Sequence, residues 1–466
     1  MNLREPGAVL LISCYELGHQ PAGIAFPMAF LEADGYRPHA LDIAVENFDA
    51  AKAAALFVGI SVPMHTALRL GVRVAERVRS VNPNCHICFY GLYAALNSDY
   101  LLTTVADSTI GGEFETSLIA LCQALQEGTR PEIEGVSYRD GFRSGPRLKK
   151  SLFPTPRRGH LPSLEHYARL EYRGNRELAG YAEATRGCLH HCLHCPWPPV
   201  YDGRFFVVPA QTVIADVRGQ IEQGARHITF GDPDFLNGPA HSLRIARLLH
   251  EEFPQLTFDF TAKVEHLLKH QSLLPEMARL GCLFIVTAAE SLSAAVLKNL
   301  HKGHTPADVV AALEAVRRAG ICFRPTWVAF TPWTGLQDYL EMLDFIERED
   351  LIDHVDAVQY SIRLLVPPGS RLLQQPAMKP HLLELDQASF SYRWKHPDRR
   401  MEQLYCWVTE LVRRETERSS PAIDIFHQVQ KRVFKISGAG RKRDAGFSSL
   451  SVIREQAARL TEPWFC

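Results

Sequence analysis

No charge of either sign dominates this 466-residue sequence, because 51 Lys and Arg residues are balanced by 52 Asp and Glu residues. The balance gives no argument for a polyanionic partner such as nucleic acid, or for binding to an anionic membrane surface. There is no run of about 18 apolar residues that would predict a transmembrane helix. The first residues also lack the basic-then-apolar pattern of a signal peptide. We therefore expect a cytoplasmic protein with neither a nucleic-acid nor a membrane partner.

A disulfide framework is also not expected. The eleven cysteines are an odd number, and they are spread along a long chain that has no secretory signal. Metal ligation or redox chemistry is the better explanation for any group of cysteines that lie close together.

The order of the predicted elements indicates an α/β fold with two sheets. In residues 1–130, short apolar runs alternate with helix-like stretches, which predicts a small doubly wound domain. Residues 131–179 are rich in Gly, Pro, Arg and Lys and predict a linker. A second alternation over residues 180–370 predicts a partial (β/α)6 barrel, and residues 371–466 predict a mainly helical carboxyl-terminal region. The six barrel strands are predicted at Tyr181–Thr185, His227–Phe230, Thr257–Thr261, Leu283–Ala288, Cys322–Phe330 and Ala357–Leu365.

Three cysteines lie within eight residues, directly after the first predicted barrel strand, in the stretch Cys188-Leu189-His190-His191-Cys192-Leu193-His194-Cys195. Thiolates are soft ligands, and three of them can bind three irons of a [4Fe–4S] cluster while the fourth iron stays open. An open iron can bind the amino and carboxylate groups of S-adenosylmethionine (SAM). Because three histidines lie in the same loop, a structural zinc site with mixed Cys and His ligands is an alternative.

The C-x-x-x-C-x-x-C spacing of Cys188, Cys192 and Cys195, at the start of a strand–helix array, resembles the radical SAM superfamily. The resemblance covers roughly residues 180–370. It implies that these three cysteines hold a [4Fe–4S] cluster that cleaves SAM reductively.

The same resemblance implies roles for four further residues. Asp232 and Asp234, in the turn after the second barrel strand, would lie near the SAM amino group. Glu290, at the end of the fourth strand, would approach the ribose hydroxyls, and Arg363 belongs to the sixth-strand segment that packs near the adenine. The sequence of this turn, Gly231-Asp232-Pro233-Asp234, differs from the Gly-Gly-Glu-Pro that is usual in the family.

The amino-terminal region resembles the cobalamin-binding domain that precedes many radical SAM barrels, through Val58-Gly59-Ile60-Ser61, Tyr90-Gly91-Leu92 and Gly112-Glu113-Phe114-Glu115. The resemblance implies cobalamin beside Ser61, Gly91 and Gly112, where small residues at strand ends let a flat cofactor approach the backbone. No Asp-x-His-x-x-Gly sequence is present, so the cobalt would lack a histidine from that motif and bind His-off. A vestigial domain that keeps the fold without the cofactor is the alternative.

The last residues, Thr461-Glu462-Pro463-Trp464-Phe465-Cys466, resemble the tail of a group of radical SAM proteins and selenoproteins. In that group, further Cys or selenocysteine residues follow a similar stretch. A thiol at this position could bind a soft acceptor such as arsenic.

Together, these resemblances predict a radical SAM enzyme, and more specifically a cobalamin-dependent methyltransferase acting on a small molecule. Such an enzyme needs an electron donor such as flavodoxin or ferredoxin. Two alternatives stay open. One is cobalamin-independent transfer of the 3-amino-3-carboxypropyl group of SAM to a soft acceptor such as arsenic, and the other is a zinc-stabilised binding protein without catalytic activity.

Overall fold

The computed structural model describes residues 1–437 and 457–462. Cys466 therefore lies outside the described residues. The described part confirms the α/β class, with two large sheets of six and seven strands and two small two-stranded sheets.

The first six strands are β1 (Val9–Ser13), β2 (His39–Asp42), β3 (Phe57–Ser61), β4 (His86–Tyr90), β5 (Ser108–Ile110) and β6 (Val136–Tyr138). They form one sheet in the order β2-β1-β3-β4-β5-β6, in which all pairs are parallel except that β6 is antiparallel at the edge. In β1, Val9 and Leu11 face one apolar core while Leu10 and Ile12 face another. The sheet is therefore buried on both faces, as a doubly wound domain requires.

Helices cover both faces of this sheet, in agreement with the predicted periodicity. They are α1 (Ala22–Ala33), α2 (His65–Val81), α3 (Leu92–Leu96), α4 (Ser98–Thr104) and α5 (Glu115–Glu127). The later helices are α6 (Trp197–Tyr201), α7 (Ala210–Glu222), α8 (Pro239–Glu252), α9 (Val264–Lys269), α10 (Leu274–Arg279), α11 (Ala294–Leu300), α12 (Pro306–Arg318), α13 (Leu336–Arg348), α14 (Arg399–Glu417) and α15 (Ala422–Ser437). None of these helices is both long and apolar enough to cross a membrane.

The remaining strands are β7 (Arg169–Tyr172), β8 (Asn175–Ala182), β9 (Thr185–Gly187), β10 (Phe205–Val207), β11 (His227–Phe230), β12 (Thr257–Ala262), β13 (Cys282–Glu290), β14 (Cys322–Trp327), β15 (Leu382–Asp386), β16 (Ser391–Trp394) and β17 (Arg459–Leu460). Seven form a sheet in the order β14-β13-β12-β11-β8-β7-β17. Its five strands from β14 to β8 are parallel and form a half-barrel, which β7 and β17 extend in antiparallel pairing. The predicted partial barrel is thus confirmed.

The predicted sixth barrel strand, Ala357–Leu365, is wrong in its local structure. Residues Ala357–Ser361 form a 3-10 turn, and the only strand-like pairing is a parallel bridge between Phe330 and Arg363. The backbone N–H of Trp327, which a sixth strand would bind, instead donates to the side-chain Oε1 of Gln359 at 2.8 Å. Because a side chain satisfies this donor, no backbone ladder is needed here.

Two strands lie within the predicted linker of residues 131–179. Strand β6 pairs with β5, and β7 forms a hairpin with β8 through Arg173 and Gly174, which both have positive φ. Such a two-residue turn matches the twist of a hairpin. The domain boundaries at residues 130, 179 and 370 stay a prediction.

The carboxyl ends of the two sheets face each other. The loop after β1 contacts the half-barrel where the ring of His19 lies 5.0 Å from that of Tyr181. The loop after β5 contacts the segment that follows β8, where Glu115 pairs with Arg186. Parallel α/β sheets place their ligands beyond these strand ends, so the junction between the sheets is the place to look for a site.

Candidate functional site

The three clustered cysteines lie in a loop that begins at the junction of the two sheets. Cys188 follows β9 directly, Cys188 and Cys192 are buried, and Cys195 is partly exposed. The loop is closed at its base because Gly187 of β9 pairs with Phe205 of β10. Gly187 has φ +84°, and a Cβ there would lie 2.4 Å from the carbonyl oxygen of Arg204. Glycine is therefore required immediately before the first cysteine.

The three sulfurs do not all lie within 4.8 Å of one another, which is wider than a single tetrahedral zinc ion requires. The described residues contain one group of three metal-ligating side chains whose donor atoms all lie within 4.8 Å of one another, and it does not include the cysteines. Zn–S bonds of about 2.3 Å would bring tetrahedral sulfurs to within about 3.8 Å. Burial raises the pKa of Cys188 to about 12, so metal binding here would displace protons.

Polar partners outside the loop hold each of its three histidines. Nδ1 of His191 accepts a hydrogen bond from the guanidinium of Arg371, and the two nitrogens are 3.1 Å apart. His190 Nε2 lies 3.3 Å from Asp234, and His194 Nε2 lies 3.3 Å from Glu290. Since the histidines are engaged in this way, the geometry does not offer them as partners of the cysteines in a mixed Cys/His zinc site.

Asp234 lies at the centre of a buried polar group. Its carboxylate accepts from the backbone N–H of Leu236 at 2.9 Å and of Lys263 at 3.2 Å, and its Oδ2 lies 2.9 Å from Nδ1 of His266. Burial alone would raise the pKa of Asp234, but hydrogen bonds from His190 and His266 hold it below its usual value. Its predicted role at the SAM amino group stays a prediction.

The donor set of His190, Asp234 and His266 would also suit a divalent cation. However, the Lys263 ammonium lies 3.2 Å from Nδ1 of His190, which places a positive charge beside the group. The hydrogen bond between His190 and Asp234, and the close approach of His266 to the same carboxylate, account for the arrangement without a metal.

Asp232 supports the segment that leads to the cysteines. Its carboxylate accepts from the backbone N–H of Ala184 at 3.0 Å and from the hydroxyl of Thr185 at 2.5 Å. Burial raises the pKa of Asp232 to about 7. Both oxygens are thus engaged by the chain itself, and a contact with the SAM amino group stays a prediction.

Glu290 ends β13 in a left-handed conformation with φ +62°, which is uncommon for a residue other than glycine. Its Oε1 lies 3.0 Å from Nζ of Lys302 and 3.3 Å from Nε2 of His194. Burial would raise the pKa of Glu290, but the Lys302 ammonium and His194 hold it well below its usual range. Glu290 therefore links the fourth strand to the cysteine loop, and its approach to a ribose stays a prediction.

The guanidinium of Arg363 is bound by the carboxyl-terminal region. It donates to Glu402 at 2.9 and 3.0 Å and to the carbonyl oxygen of Trp394 at 2.8 Å. It also stacks on the ring of Trp394, 3.6 Å from the ring centre. These contacts explain the residue structurally, so its place near adenine stays a prediction.

The three residues predicted beside cobalamin lie at or just beyond the carboxyl ends of neighbouring strands of the first sheet. Ser61 is buried, with its Oγ 3.4 Å from Glu16. A Cβ on Gly91 (φ +105°) would lie 3.3 Å from the carbonyl oxygen of Val62, and a Cβ on Gly112 (φ +78°) would lie 2.2 Å from the carbonyl oxygen of Arg147. Packing of the chain on itself accounts for both glycines, and their contact with a cofactor stays a prediction.

The sequence interpretation missed the buried basic residues of the site. Lys263 and Lys302 follow β12 and the short helix α11, and Arg186 lies between Thr185 and Gly187. All three side chains are buried. The sequence position of Arg186 could have indicated its role. A basic residue in a buried segment before a cysteine loop needs acidic partners, such as Glu113 and Glu115.

Comparison with known proteins agrees with this geometry. The model of the radical SAM superfamily matches residues 183–346, which contain the three-cysteine loop and most of the half-barrel. The chain therefore carries a radical SAM domain, and the class predicted from Cys188, Cys192 and Cys195 is confirmed.

Particular relatives extend the comparison beyond that domain. The chain is similar to the structure of the radical SAM methyltransferase TsrM from Kitasatospora setae with cobalamin and a [4Fe–4S] cluster bound, with a TM-score of 0.60 and 16% identity over 73% of this chain and 70% of that one. It is also similar to the cobalamin-dependent SAM radical enzyme OxsB with aqua-cobalamin and SAM bound, with a TM-score of 0.69 and 17% identity over 86% of this chain and 66% of that one. These similarities establish the fold.

A curated relative is an uncharacterized methyltransferase of Pyrococcus horikoshii, which is 21% identical over 252 residues. The match covers 53% of this chain and 54% of the relative. The chain thus spans about half the length of this relative.

Proposed function

We propose that this protein is a cobalamin-dependent radical SAM enzyme that transfers a methyl group from SAM to a small-molecule substrate. One observation carries the proposal: the three-cysteine loop begins where the carboxyl end of a half-barrel faces the carboxyl end of a doubly wound sheet. A reaction that uses two cofactors needs their sites close together, and facing strand ends bring two such sites close together. The similarity in fold to TsrM and OxsB supports the same assignment.

The chain's own residues have distinct roles in this proposal. Cys188, Cys192 and Cys195 would hold the cluster, which supplies the electron for SAM cleavage when it is bound, just as bound cobalamin would carry the methyl group. Glu290, at the end of β13, binds both His194 of the loop and Lys302, and so holds the loop in place. The buried surroundings of Cys188 and Cys192 exclude water from the sulfurs of these two residues.

The amino-terminal site fits cobalamin in its donor chemistry. Glu113 Oε2 and Glu115 Oε2, just beyond β5, are buried and have no hydrogen-bond partner in the described part of the chain. Amide N–H groups of the kind found around a corrin ring would satisfy such oxygens. The Nε2 atom of His65 lies 2.5 Å from the carbonyl oxygen of Ser389. This ring nitrogen is engaged by the chain itself, which supports the proposed His-off binding.

The proposal includes a reduced protein partner and a cytosolic location. Reductive cleavage of SAM needs one electron from a donor such as flavodoxin or ferredoxin. Thiolate ligands need a compartment in which cysteines stay reduced.

The decisive experiment is anaerobic purification, cluster reconstitution and turnover of SAM with and without hydroxocobalamin. We expect about four irons and four sulfides per chain. We also expect both 5′-deoxyadenosine and S-adenosylhomocysteine as products, the second only when cobalamin is present. Alanine variants of Cys188, Cys192 and Cys195 should lose iron and both products, whereas Cys282→Ala, which changes a buried cysteine of β13, should keep them.

Three results would overturn the proposal. Stoichiometric zinc without sulfide would favour the binding protein without catalytic activity. 5′-Methylthioadenosine as the main product would favour transfer of the 3-amino-3-carboxypropyl group. An iron–sulfur protein that produces only 5′-deoxyadenosine, with or without cobalamin, would favour a vestigial amino-terminal domain.

A further inference from the structure

Arg186 connects the cysteine loop to the amino-terminal domain. The residue is buried, with 7% of its surface exposed. Its guanidinium donates to Glu115, lies 3.8 Å from Glu113, and donates through Nε to Glu183 at 2.8 Å. Glu113 and Glu115 follow β5 of the first sheet, whereas Glu183 follows β8 of the half-barrel. One side chain therefore binds the strand ends of both sheets.

Aromatic rings surround the same guanidinium. Its carbon lies 4.5 Å from the ring centre of Phe26, 5.0 Å from that of Phe153 and 5.7 Å from that of Phe114. Phe26 belongs to α1 and Phe114 directly precedes α5, so these contacts also reach the amino-terminal domain. A planar guanidinium can stack on rings and bind carboxylates at the same time, which a lysine cannot reproduce.

The backbone of Arg186 is as closely held as its side chain. It pairs with Phe206 in the ribbon of β9 and β10, and only Gly187 separates it from Cys188. Gly187 itself has no room for a Cβ. No flexible segment therefore lies between the residue that contacts the amino-terminal domain and the first cluster cysteine.

Glu113 is held from its other side by the half-barrel region as well. The hydroxyl of Tyr201, in α6 after the cysteine loop, donates to Glu113 Oε1 at 3.0 Å. The Arg186 contacts precede the cysteines in sequence and the Tyr201 contact follows them. The loop is thus anchored to Glu113 at both of its ends.

We propose that Arg186 is a positioning residue that sets the distance and orientation between the cluster site and the cobalamin site. The proposal rests on the function proposed above. Arg186 would couple two reactions. SAM cleavage to 5′-deoxyadenosine needs only the cluster site. Formation of S-adenosylhomocysteine needs both sites at the correct distance and orientation.

The test compares Arg186→Met and Arg186→Lys with the wild-type holoenzyme under anaerobic conditions. We expect Arg186→Met to retain iron and to form 5′-deoxyadenosine within about threefold of wild type. Its formation of S-adenosylhomocysteine should fall roughly 100-fold, because a displacement of about 1 Å between reacting centres has an effect of this size. Arg186→Lys keeps the charge without the planar fork, and we expect a fall of roughly tenfold.

A second readout does not depend on turnover. The magnetic coupling between the reduced cluster and cob(II)alamin in EPR spectra reports their separation. In Arg186→Met, we expect this coupling to weaken or broaden, whereas the cluster signal alone keeps its g-values. Arg218→Met is a matched control, because Arg218 forms a comparable two-point pair with Glu252 on the surface. It should change neither readout.

Arg186→Met leaves buried carboxylates without their cation and could fail to fold. The double variant Arg186→Met/Glu115→Gln removes one charge of each sign, so that Glu115 is not left as an unpaired buried charge. Both readouts are then measured on this variant. Parallel loss of both products, or unchanged product ratio and EPR coupling in the folded variants, would overturn the positioning role. If the wild type forms no S-adenosylhomocysteine with cobalamin, the proposed function fails instead, and the two failures are distinguishable.

Discussion

The ammonium of Lys302 lies 3.0 Å from the carboxylate of Glu290, and both side chains are buried beside the cysteine loop. The pKa of Lys302 is raised to about 12: burial opposes this rise, but the charge of Glu290 and the negative charge of Cys192 and Cys195 as thiolates outweigh it. Lys302 therefore keeps a fixed positive charge next to the sulfurs. A cluster becomes more negative when it is reduced, so a nearby cation stabilises its reduced form.

Lys302→Met should lower the reduction potential of the reconstituted cluster. The change removes the buried cation and also leaves Glu290 without its main partner, and both effects disfavour added negative charge. The measurement is an EPR-monitored redox titration of the cluster.

Lys298→Met is the control for this titration, because Lys298 is exposed on α11 nearby. We expect the potential of this control to match the wild type. An unchanged potential in Lys302→Met would mean that Lys302 serves only to hold Glu290 and His194.

Glu113→Gln should change how stability depends on pH. Burial raises the pKa of Glu113 to about 7; Glu115 and Glu183 add to the rise, while Arg186 and the Tyr201 hydroxyl oppose it. A folded-state pKa above the unfolded value of 4.5 means that the fold binds more protons between these two values. The contribution of Glu113 to stability is therefore complete below about pH 4.5 and is lost as the pH rises through about 7.

Glutamine does not titrate, so the stability of Glu113→Gln relative to wild type should increase by about 1–3 kcal/mol between pH 5 and 8. Thermal unfolding of the holo-protein across this range checks the prediction. Glu127→Gln, a change on the exposed end of α5, should follow the wild-type profile. A constant difference for Glu113→Gln would show that Glu113 is ionised throughout.

Gly112→Ala should be more harmful than Gly128→Ala. Both glycines have positive φ, +78° and +69°, so both substitutions incur backbone strain of about 1 kcal/mol. A Cβ on Gly112 would also collide with the backbone of Arg147, whereas nothing lies within 4 Å of a Cβ on Gly128. We expect a total loss of roughly 3 kcal/mol for Gly112→Ala.

Chemical unfolding and cobalamin absorbance, measured on both variants, test this explanation of Gly112. If Gly112→Ala is as stable as Gly128→Ala but no longer binds cobalamin, then Gly112 faces the cofactor, as the sequence resemblance implies, and the packing explanation is wrong.

Asp232→Ala should weaken the cysteine loop. The change leaves the buried N–H of Ala184 and the hydroxyl of Thr185 without their acceptor, at a cost of about 1–3 kcal/mol for an unsatisfied group. We expect a lower thermal midpoint and faster loss of iron to a chelator. A normal midpoint together with a raised KM for SAM would instead support a direct contact with the SAM amino group.

Local pattern was sufficient to predict the strands that are buried on both faces. The barrel strands β11 and β12 begin and end within one residue of the predictions. Such strands are continuous apolar or alternating runs bounded by turn residues, so the sequence itself marks their limits. The cysteine spacing likewise identified the loop at Cys188 from the sequence.

Features that depend on side chains from distant segments could not be predicted in this way. The segment Ala357–Leu365 has a strand-like composition, but the bond from Trp327 to the side chain of Gln359 replaces the ladder. Glu290 and Lys302 are twelve residues apart in sequence, whereas His194 precedes Glu290 by 96 residues. Their convergence follows from the barrel geometry, which no local pattern encodes.

The ribbon of β9 and β10 has a consequence for maturation of the protein. Because Gly187 and Phe205 are paired through the backbone alone, the ends of the cysteine loop are held together without any contribution from iron. Most of the chain entropy of the loop is thus lost when the polypeptide folds and not when the inorganic centre is assembled. The apoprotein should accordingly accept iron and sulfide quickly and rebuild its centre after oxidative damage without unfolding.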